Sequence, residues 1–163
     1  MNGHAQRLEA LTVRVQVPGA AIGAALTRRN EVTLEFGPGE YQRLTDADLE
    51  HHLATVARLL HTAWLRAYRQ TLDPSIVDTP GVDNDTDRAF YDARAEVVGR
   101  GASPDGRIRL TAHGPQRVTA GIARGTVAEL SEEQFVEAFR AAGVALILDY
   151  TAQVDELKDR IYR

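Results

Sequence analysis

The sequence predicts an α+β fold of two tandem units, each a three-stranded antiparallel β-meander followed by a long α-helix, packed as an intrachain pseudo-dimer. Three observations support this prediction. The chain aligns with itself without gaps at an offset of 86 residues, and turn residues, helix starts and apolar spacing all match. Three short segments of each copy contain apolar residues at the spacing of half-buried strands. A helix-capping residue and an amphipathic run follow those segments in both copies.

The strands are clearest in the second copy. Residues 97–103 form the first predicted strand, which ends at the turn Pro104-Asp105-Gly106 because proline presets φ and glycine accepts a positive φ. Residues 107–113 then alternate strictly between polar and apolar side chains, as a half-buried strand does. A second turn leads into a third predicted strand over residues 117–122. Together these segments predict a β-meander.

A long helix is predicted after each meander. In the second copy, Ser131 and Gln134 match a capping box, and apolar residues follow at helical spacing from Phe135 to Leu157. In the first copy, Thr45 begins the helix and Asp73-Pro74 ends it, because proline disfavours helix at the residue before it. The strands of the first copy are predicted over residues 11–17, 22–26 and 32–36.

The repeat divides the chain into a first unit of residues 1–72, an acidic linker of residues 73–87 and a second unit of residues 88–163. The linker carries five aspartates, two prolines and no basic residue, a composition typical of exposed connections. A short helix is predicted over residues 86–95. Each unit alone is of the size at which burial barely offsets chain entropy, so we expect the two to dock, within one chain or by exchange in a homodimer.

The amino-acid composition restricts the cellular location and the functional class of the protein. The chain has 163 residues, a net charge of −4 and no cysteine, which excludes disulfides, thiol nucleophiles and zinc–thiolate sites. Residues 1–6 are too polar for a signal peptide, and the longest apolar run, residues 141–148, is too short to cross a bilayer. We therefore expect a cytoplasmic protein without membrane insertion. The acidic balance argues against coating nucleic acid through bulk positive charge.

No segment of the sequence carries a complete catalytic or metal-binding motif. The acidic run 83–87 begins like a calcium loop but lacks the glycine and the glutamate that such a loop needs further on. His51, His52 and His61 lie on one predicted helix without the spacing of zinc ligands. Gly99-Arg100-Gly101 is interpreted as carrying turn or bulge glycines, not as a phosphate loop. We therefore expect no enzyme activity, no cofactor and no metal.

Positive charge is concentrated in the second unit. Residues 99–130 carry five arginines against two acidic residues, and strand arginines two positions apart lie on one face roughly 7 Å apart. Guanidinium groups bind phosphate oxygens, so the set predicts a DNA-binding face, although an ordinary solvated sheet face would have the same pattern. In the first unit, the positions that match three of these arginines hold Ala21, Gly23 and Glu31. The candidate nucleic-acid-binding residues are Arg100, Arg107, Arg109, Arg117 and Arg124.

The long helices offer a second candidate surface, for a protein partner. Secondary apolar positions beside the main stripes could receive the helix of another protein, and packing between the two copies would explain them equally well. These candidate partner-binding positions are Leu59, Leu65, Leu72, Val144, Leu148 and Ile161.

The second copy resembles the YbaB/EbfC family over residues 95–158. The resemblance rests on the turn Ser103-Pro104-Asp105-Gly106 between two strands, the strand start Arg117-Val118-Thr119 and the helix start Leu130-Ser131-Glu132-Glu133-Gln134. It implies a small α+β unit that pairs as a dimer and a nucleoid-associated, DNA-binding function. The tandem chain would then be a fused pseudo-dimer with both units in one polypeptide.

The first copy is similar, more weakly, to Esp-type accessory proteins of mycobacterial type VII secretion. That similarity rests on residues 11–15, the helix start at residues 44–49 and residues 57–60. It implies an alternative function, as a protein-binding accessory or chaperone of an actinobacterial type VII (ESX) secretion system. Neither resemblance supplies a binding motif, so the candidate arginines are inferred from the sequence pattern alone.

Overall fold

A computed structural model describes residues 10–28, 30–72, 84–114 and 117–163, with the backbone alone for residues 69, 71 and 72. Two three-stranded antiparallel sheets are each followed by a long helix, which confirms the predicted α+β class. In chain order the elements are β1 (Thr12–Gln16), β2 (Ile22–Thr27), β3 (Glu31–Phe36), α1 (Glu40–Arg43), α2 (Asp46–Leu72), α3 (Asp85–Ala95), β4 (Val98–Ala102), β5 (Ile108–His113), β6 (Arg117–Ile122), α4 (Thr126–Glu129) and α5 (Glu132–Ile161).

The internal repeat is a structural repeat. Each strand of the first unit recurs 86 residues later with the same length, and α2 and α5 also begin 86 residues apart. Strand register repeats as well, since Ala24 pairs with Leu34 in the first sheet as Leu110 pairs with Ala120 in the second. The short helices α1 and α4 form a further matched pair where the sequence predicted only a connection.

Alternation of side chains builds each sheet with one buried face. In β5, Ile108, Leu110 and Ala112 are buried while Arg109 between them is exposed. The turn before β5 forms as predicted, because the Asp105 carboxylate accepts hydrogen bonds from the Ser103 hydroxyl (2.7 Å) and the Arg107 N–H (3.1 Å).

Side-chain caps begin helices α3 and α5. Ser131 accepts a hydrogen bond from the Gln134 N–H, and the Gln134 side chain accepts one from the Ser131 N–H, which confirms the capping box. Asn84 caps α3, so residues 84–87 of the segment predicted as linker begin a helix. The rest of that predicted linker, residues 73–83, lies outside the described residues.

The two glycines of β4 are not turn or bulge glycines. Gly99 and Gly101 are buried and point toward α5, and a Cβ added at Gly101 would overlap the backbone of Leu146 and Ala142. Glycine at these positions lets strand and helix backbones approach closely. The first unit has Val13 and Val15 at the same positions, so this close approach is particular to the second unit.

Each long helix contacts both sheets. Helix α2 lies on β1 and β2 of its own unit and on β6 of the second, while α5 lies on β4 and β5 and on β3 of the first. The buried side chains consequently form one hydrophobic cluster with members from both units. Its most deeply buried large residues include Ile22, Leu49, Leu53, Ile108 and Phe135. None of the helices within the described ranges is long and apolar enough to span a membrane.

Polar contacts join the two units around α1 and α4. The Asp46 carboxylate accepts hydrogen bonds from the backbone N–H groups of Gly125 (2.8 Å) and Val127 (3.0 Å). The Tyr41 hydroxyl donates to the carbonyl oxygen of Leu130 (2.8 Å). Burial, followed by the charges of Asp46 and Glu132, raises the pKa of Tyr41, so its hydroxyl remains a donor.

Candidate nucleic-acid interface

The outer face of the second sheet carries exposed arginines and, among its strand residues, no acidic side chain. Arg100 on β4, Arg109 on β5 and Arg117 on β6 are all exposed, and His113 is exposed on the same face. We call these three arginines the arginine face. None of them forms an ion pair with any residue that the structure describes. Their charge is therefore available to an anionic ligand.

Strand register fixes the spacing of the arginine face. Arg100 lies opposite Thr111, two residues from Arg109, so the two arginines are diagonal neighbours about 7–8 Å apart. Arg117 lies opposite His113, four residues from Arg109, which separates those two by roughly 14 Å. The group thus covers less than half of the roughly 34 Å turn of a DNA duplex.

The other two candidate arginines lie outside this face. Arg107 precedes β5, and its guanidinium forms ion pairs with Asp105 (3.5 Å) and with Glu129. Arg107 and Arg109 are consequently not the pair of free strand arginines that the sequence predicted. Arg124 is exposed in the connection between β6 and α4, beyond the end of the sheet.

The first sheet has a different outer face at the same positions. Arg14 matches Arg100 and is exposed, but Glu31 and Glu35 are exposed on β3 of that face. One arginine against two glutamates leaves the first face without net positive charge. The two sheets have therefore kept the same backbone and diverged in surface charge.

The structure also contains a basic cleft that sequence reasoning missed. It has a volume of about 1050 Å³ and lies between α2, α3 and one end of the second sheet. Arg117 belongs both to the arginine face and to this basic cleft. Its other charged or titratable lining residues are His51, Arg58, Tyr91, Arg94, Glu96 and His113.

Aromatic rings hold Arg94 at the wall of the basic cleft. Its guanidinium carbon lies 5.0 Å from the ring centre of Tyr91 and 5.8 Å from that of Phe90. The Arg94 Nε is buried without a hydrogen-bond partner. Burial, followed by the Arg94 charge, lowers the pKa of His61, which favours the neutral imidazole there.

The sequence contained no signal for this cleft. Its arginines come from a helix of the first unit and from a helix and a strand of the second, and only tertiary packing unites them. In the sequence, the only pattern that involves His51 is its spacing from His52 and His61, which concerns metal binding. Across the part of the chain that the structure describes, no three His, Cys, Asp or Glu residues are placed to hold a metal ion.

The apolar residues that are candidates for binding a protein partner differ in solvent exposure. Leu148 on α5 is 55% exposed, the largest exposed fraction among the candidates whose side chains are described. Leu59, Leu65, Val144 and Ile161 are half-buried, and the side chain of Leu72 lies outside what the structure describes.

Comparison of the chain with protein-family models, curated proteins and solved structures gives no match.

Proposed function

We propose that this protein is a non-enzymatic, YbaB-like DNA-associated protein of the cytoplasm that binds duplex DNA through the arginine face. The observation that carries the proposal is the group of three exposed arginines, without an acidic strand residue among them, on one sheet of two. Guanidinium groups bind phosphate oxygens in bidentate geometry. A flat face of this kind contacts the DNA backbone and has no element that enters a groove to read bases.

The same proposal treats the two units as an intrachain pseudo-dimer. Its support is the reciprocal packing, in which α2 contacts β6 of the second unit and α5 contacts β3 of the first. The shared hydrophobic cluster also supports it, because neither unit buries its apolar face alone. In this arrangement one copy supplies the DNA-binding face and the other completes the core.

The proposal is tested by removing the arginine face from the folded protein. We expect the triple variant Arg100→Ala, Arg109→Ala and Arg117→Ala to lose most of its affinity for a labelled duplex of mixed sequence. Each lost phosphate contact lowers the salt dependence by about 0.9, so the slope of log affinity against log salt should change from about −2.7 to near zero. Fluorescence anisotropy at low salt measures both quantities.

A matched control variant removes the same number of positive charges as the test variant, but from other surfaces. Arg14→Ala, Arg43→Ala and Arg88→Ala together remove three exposed arginines from other surfaces. We expect this control to bind DNA nearly as well as the wild type. Equal losses in the two triple variants would show that overall charge, not the arginine face, determines binding.

A second candidate function is protein binding as an accessory of a type VII secretion system. The exposure of Leu148, one helical turn from Val144 on α5, favours it. We expect a Leu148→Asp variant to lose affinity for a small helical substrate protein of such a system. Undiminished binding by that variant would reject α5 as the docking surface.

A further inference from the structure

We propose that the basic cleft between α2, α3 and the second sheet is a binding site for a small molecule that carries phosphate groups. This site is distinct from the arginine face, with which it shares only Arg117. The inference does not depend on DNA binding, since the cleft is formed by two helices as well as by the sheet.

Charge is the first argument. Arg58 on α2, Arg94 on α3 and Arg117 on β6 come from three elements and converge on one concavity. Among the described residues that line it, Glu96 is the single carboxylate. A concave surface lined by one sign of charge focuses its field and concentrates counter-ions.

The second argument is that none of these three guanidinium groups forms an ion pair with a residue that the structure describes. The ion pairs formed by arginines within the described ranges involve Arg107 and Arg140, and neither lines the cleft. The buried Arg94 Nε also has no acceptor. Phosphate oxygens match the planar donor geometry of arginine.

Preorganisation is the third argument. The Phe90 and Tyr91 rings hold the Arg94 guanidinium from its own helix. Helix α3 is in turn held against α5, because the Tyr162 hydroxyl donates a hydrogen bond to Asp87 (2.6 Å) and Phe90 is buried. A fixed guanidinium loses less conformational freedom when a ligand binds.

The volume of the cleft indicates whether its ligand is a free phosphate anion or an organic phosphate. A volume of about 1050 Å³ exceeds what inorganic phosphate needs and is at the upper end of clefts that hold drug-sized ligands. Tyr91, with its aromatic ring, is among the lining residues and can contact an apolar or ring portion of a ligand. These properties favour an organic phosphate of about the size of a nucleotide over a free anion.

Isothermal titration calorimetry of the full chain with ADP and, separately, with inorganic pyrophosphate tests the proposal. We expect wild-type protein to bind ADP, and we expect the double variant Arg58→Gln and Arg94→Gln to bind it at least about tenfold more weakly. Tighter binding of ADP than of pyrophosphate would identify an organic phosphate as the ligand. Equal binding would identify a free phosphate anion at the same site.

The control variant is Arg66→Gln with Arg88→Gln, which removes the same charge from the same two helices outside the cleft. We expect it to bind ADP like the wild type. If loss of Arg94 impairs folding, Arg58→Gln alone serves as the test, because Arg58 is exposed and forms no described ion pair. Absence of binding to both probes, or equal binding by wild type and Arg58→Gln, would overturn the proposal.

Failure of this proposal and failure of DNA binding are distinguishable. Arg58 and Arg94 are not on the arginine face, so their variants should retain affinity for duplex DNA. Arg100 and Arg109 do not line the basic cleft, so their replacement should leave ADP binding intact.

Discussion

At the scale of single residues, Gly101 shows how one missing Cβ fixes the position of a helix. Its backbone lies against α5 so closely that an added methyl group would meet Leu146 N and Ala142 O, which are backbone atoms. Backbone of a packed helix cannot move aside as a flexible side chain can. The close approach of β4 to α5 therefore requires glycine at this position.

We predict that Gly101→Ala lowers the free energy of unfolding by about 3 kcal/mol, because overpacking forces strand and helix apart. The matched control is Gly121→Ala on β6, where the nearest atom to an added Cβ is Arg109 O at 4.0 Å. We expect the control to change stability by less than about 0.5 kcal/mol. Urea unfolding measures both variants, and similar stability of the two would contradict the proposed helix contact.

Tyr162 gives a pH-dependent prediction. Its hydrogen bond to Asp87, followed by burial and by the charges of Asp87 and Tyr91, raises its pKa from 10.0 to about 12. The folded protein then holds this phenolic proton more tightly than the unfolded chain. The stabilisation is complete below pH 10 and is lost as the pH rises toward 12.

The measurement is the free energy of unfolding as a function of pH for wild type and Tyr162→Phe. The other tyrosines are common to both proteins, so their titration cancels in the difference. We expect wild type to be more stable by a constant amount below pH 10 and by a decreasing amount above it. A difference that stays constant to pH 12 would contradict the role of the Asp87 hydrogen bond.

At the scale of elements, the contact between α2 and α4 depends on one carboxylate. The carboxylate of Asp46, the first residue of α2, accepts hydrogen bonds from two backbone N–H groups at the start of α4 in the other unit. Its repeat-related partner, Glu132, begins α5, but the Glu132 carboxylate forms no hydrogen bond with a residue in the described ranges. The repeat thus provides a natural control for this contact.

We predict that Asp46→Ala lowers the free energy of unfolding by about 1.5–3 kcal/mol, because hydrogen bonds to a charged acceptor are lost and two N–H groups are left unpaired. Glu132→Ala should have a clearly smaller effect. Both changes remove one acidic residue from a first helical turn, so the helix-dipole contribution cancels. Thermal unfolding at neutral pH is the measurement, and equal effects would argue against the bridging role of Asp46.

Strands and long helices were predictable because their residues follow a regular apolar pattern. The short helices and the packing glycines show no such pattern in the sequence. The strands and the start of α5 agree because alternation and the Ser131 capping box are local signals. Helices α1 and α4 have four residues each, too few to show a helical period. The prediction of turn or bulge glycines at Gly99 and Gly101 is wrong because a glycine that permits close packing has the same sequence signal as a turn glycine.

The candidate site was predictable only in part, for a physical reason. Alternation placed Arg109 and Arg117 correctly on the outer face. It could not show that Glu129, on the short helix α4, would pair with Arg107. Nor could it bring Arg58 and Arg94 together, since they lie on different units and meet only after the units dock.

At the scale of the whole molecule, the shared core implies one cooperative unfolding transition. Trp64, the single tryptophan, lies on α2 and packs against the core, so its fluorescence follows the first unit. We predict that Phe139→Ala on α5 lowers stability by about 3–5 kcal/mol. Because α5 packs on both sheets, we expect this substitution to shift the unfolding transition reported by Trp64 fluorescence as well.

The single cooperative transition is tested by denaturant unfolding, monitored by Trp64 fluorescence and by far-ultraviolet circular dichroism. We expect both signals of the Phe139→Ala variant to shift together to lower denaturant concentration. A Trp64 transition that stays at its wild-type midpoint while the dichroism transition splits would mean that the units unfold independently.

At this scale, overall charge decides which part of the surface could carry the proposed DNA binding. The chain carries a net charge of −4, so long-range attraction is weak and binding must come from the local arginine face. Three phosphate contacts give a log affinity that falls with log salt at a slope of about −2.7. This corresponds to about a 40-fold loss of affinity between about 50 and 200 mM salt.

The most direct test of the central claim is therefore fluorescence anisotropy of a labelled duplex titrated with wild-type protein over that range of salt. We predict binding at low salt with little sequence preference and a slope close to −2.7. No binding at about 50 mM salt, or an affinity that does not change with salt, would contradict DNA binding through the arginine face.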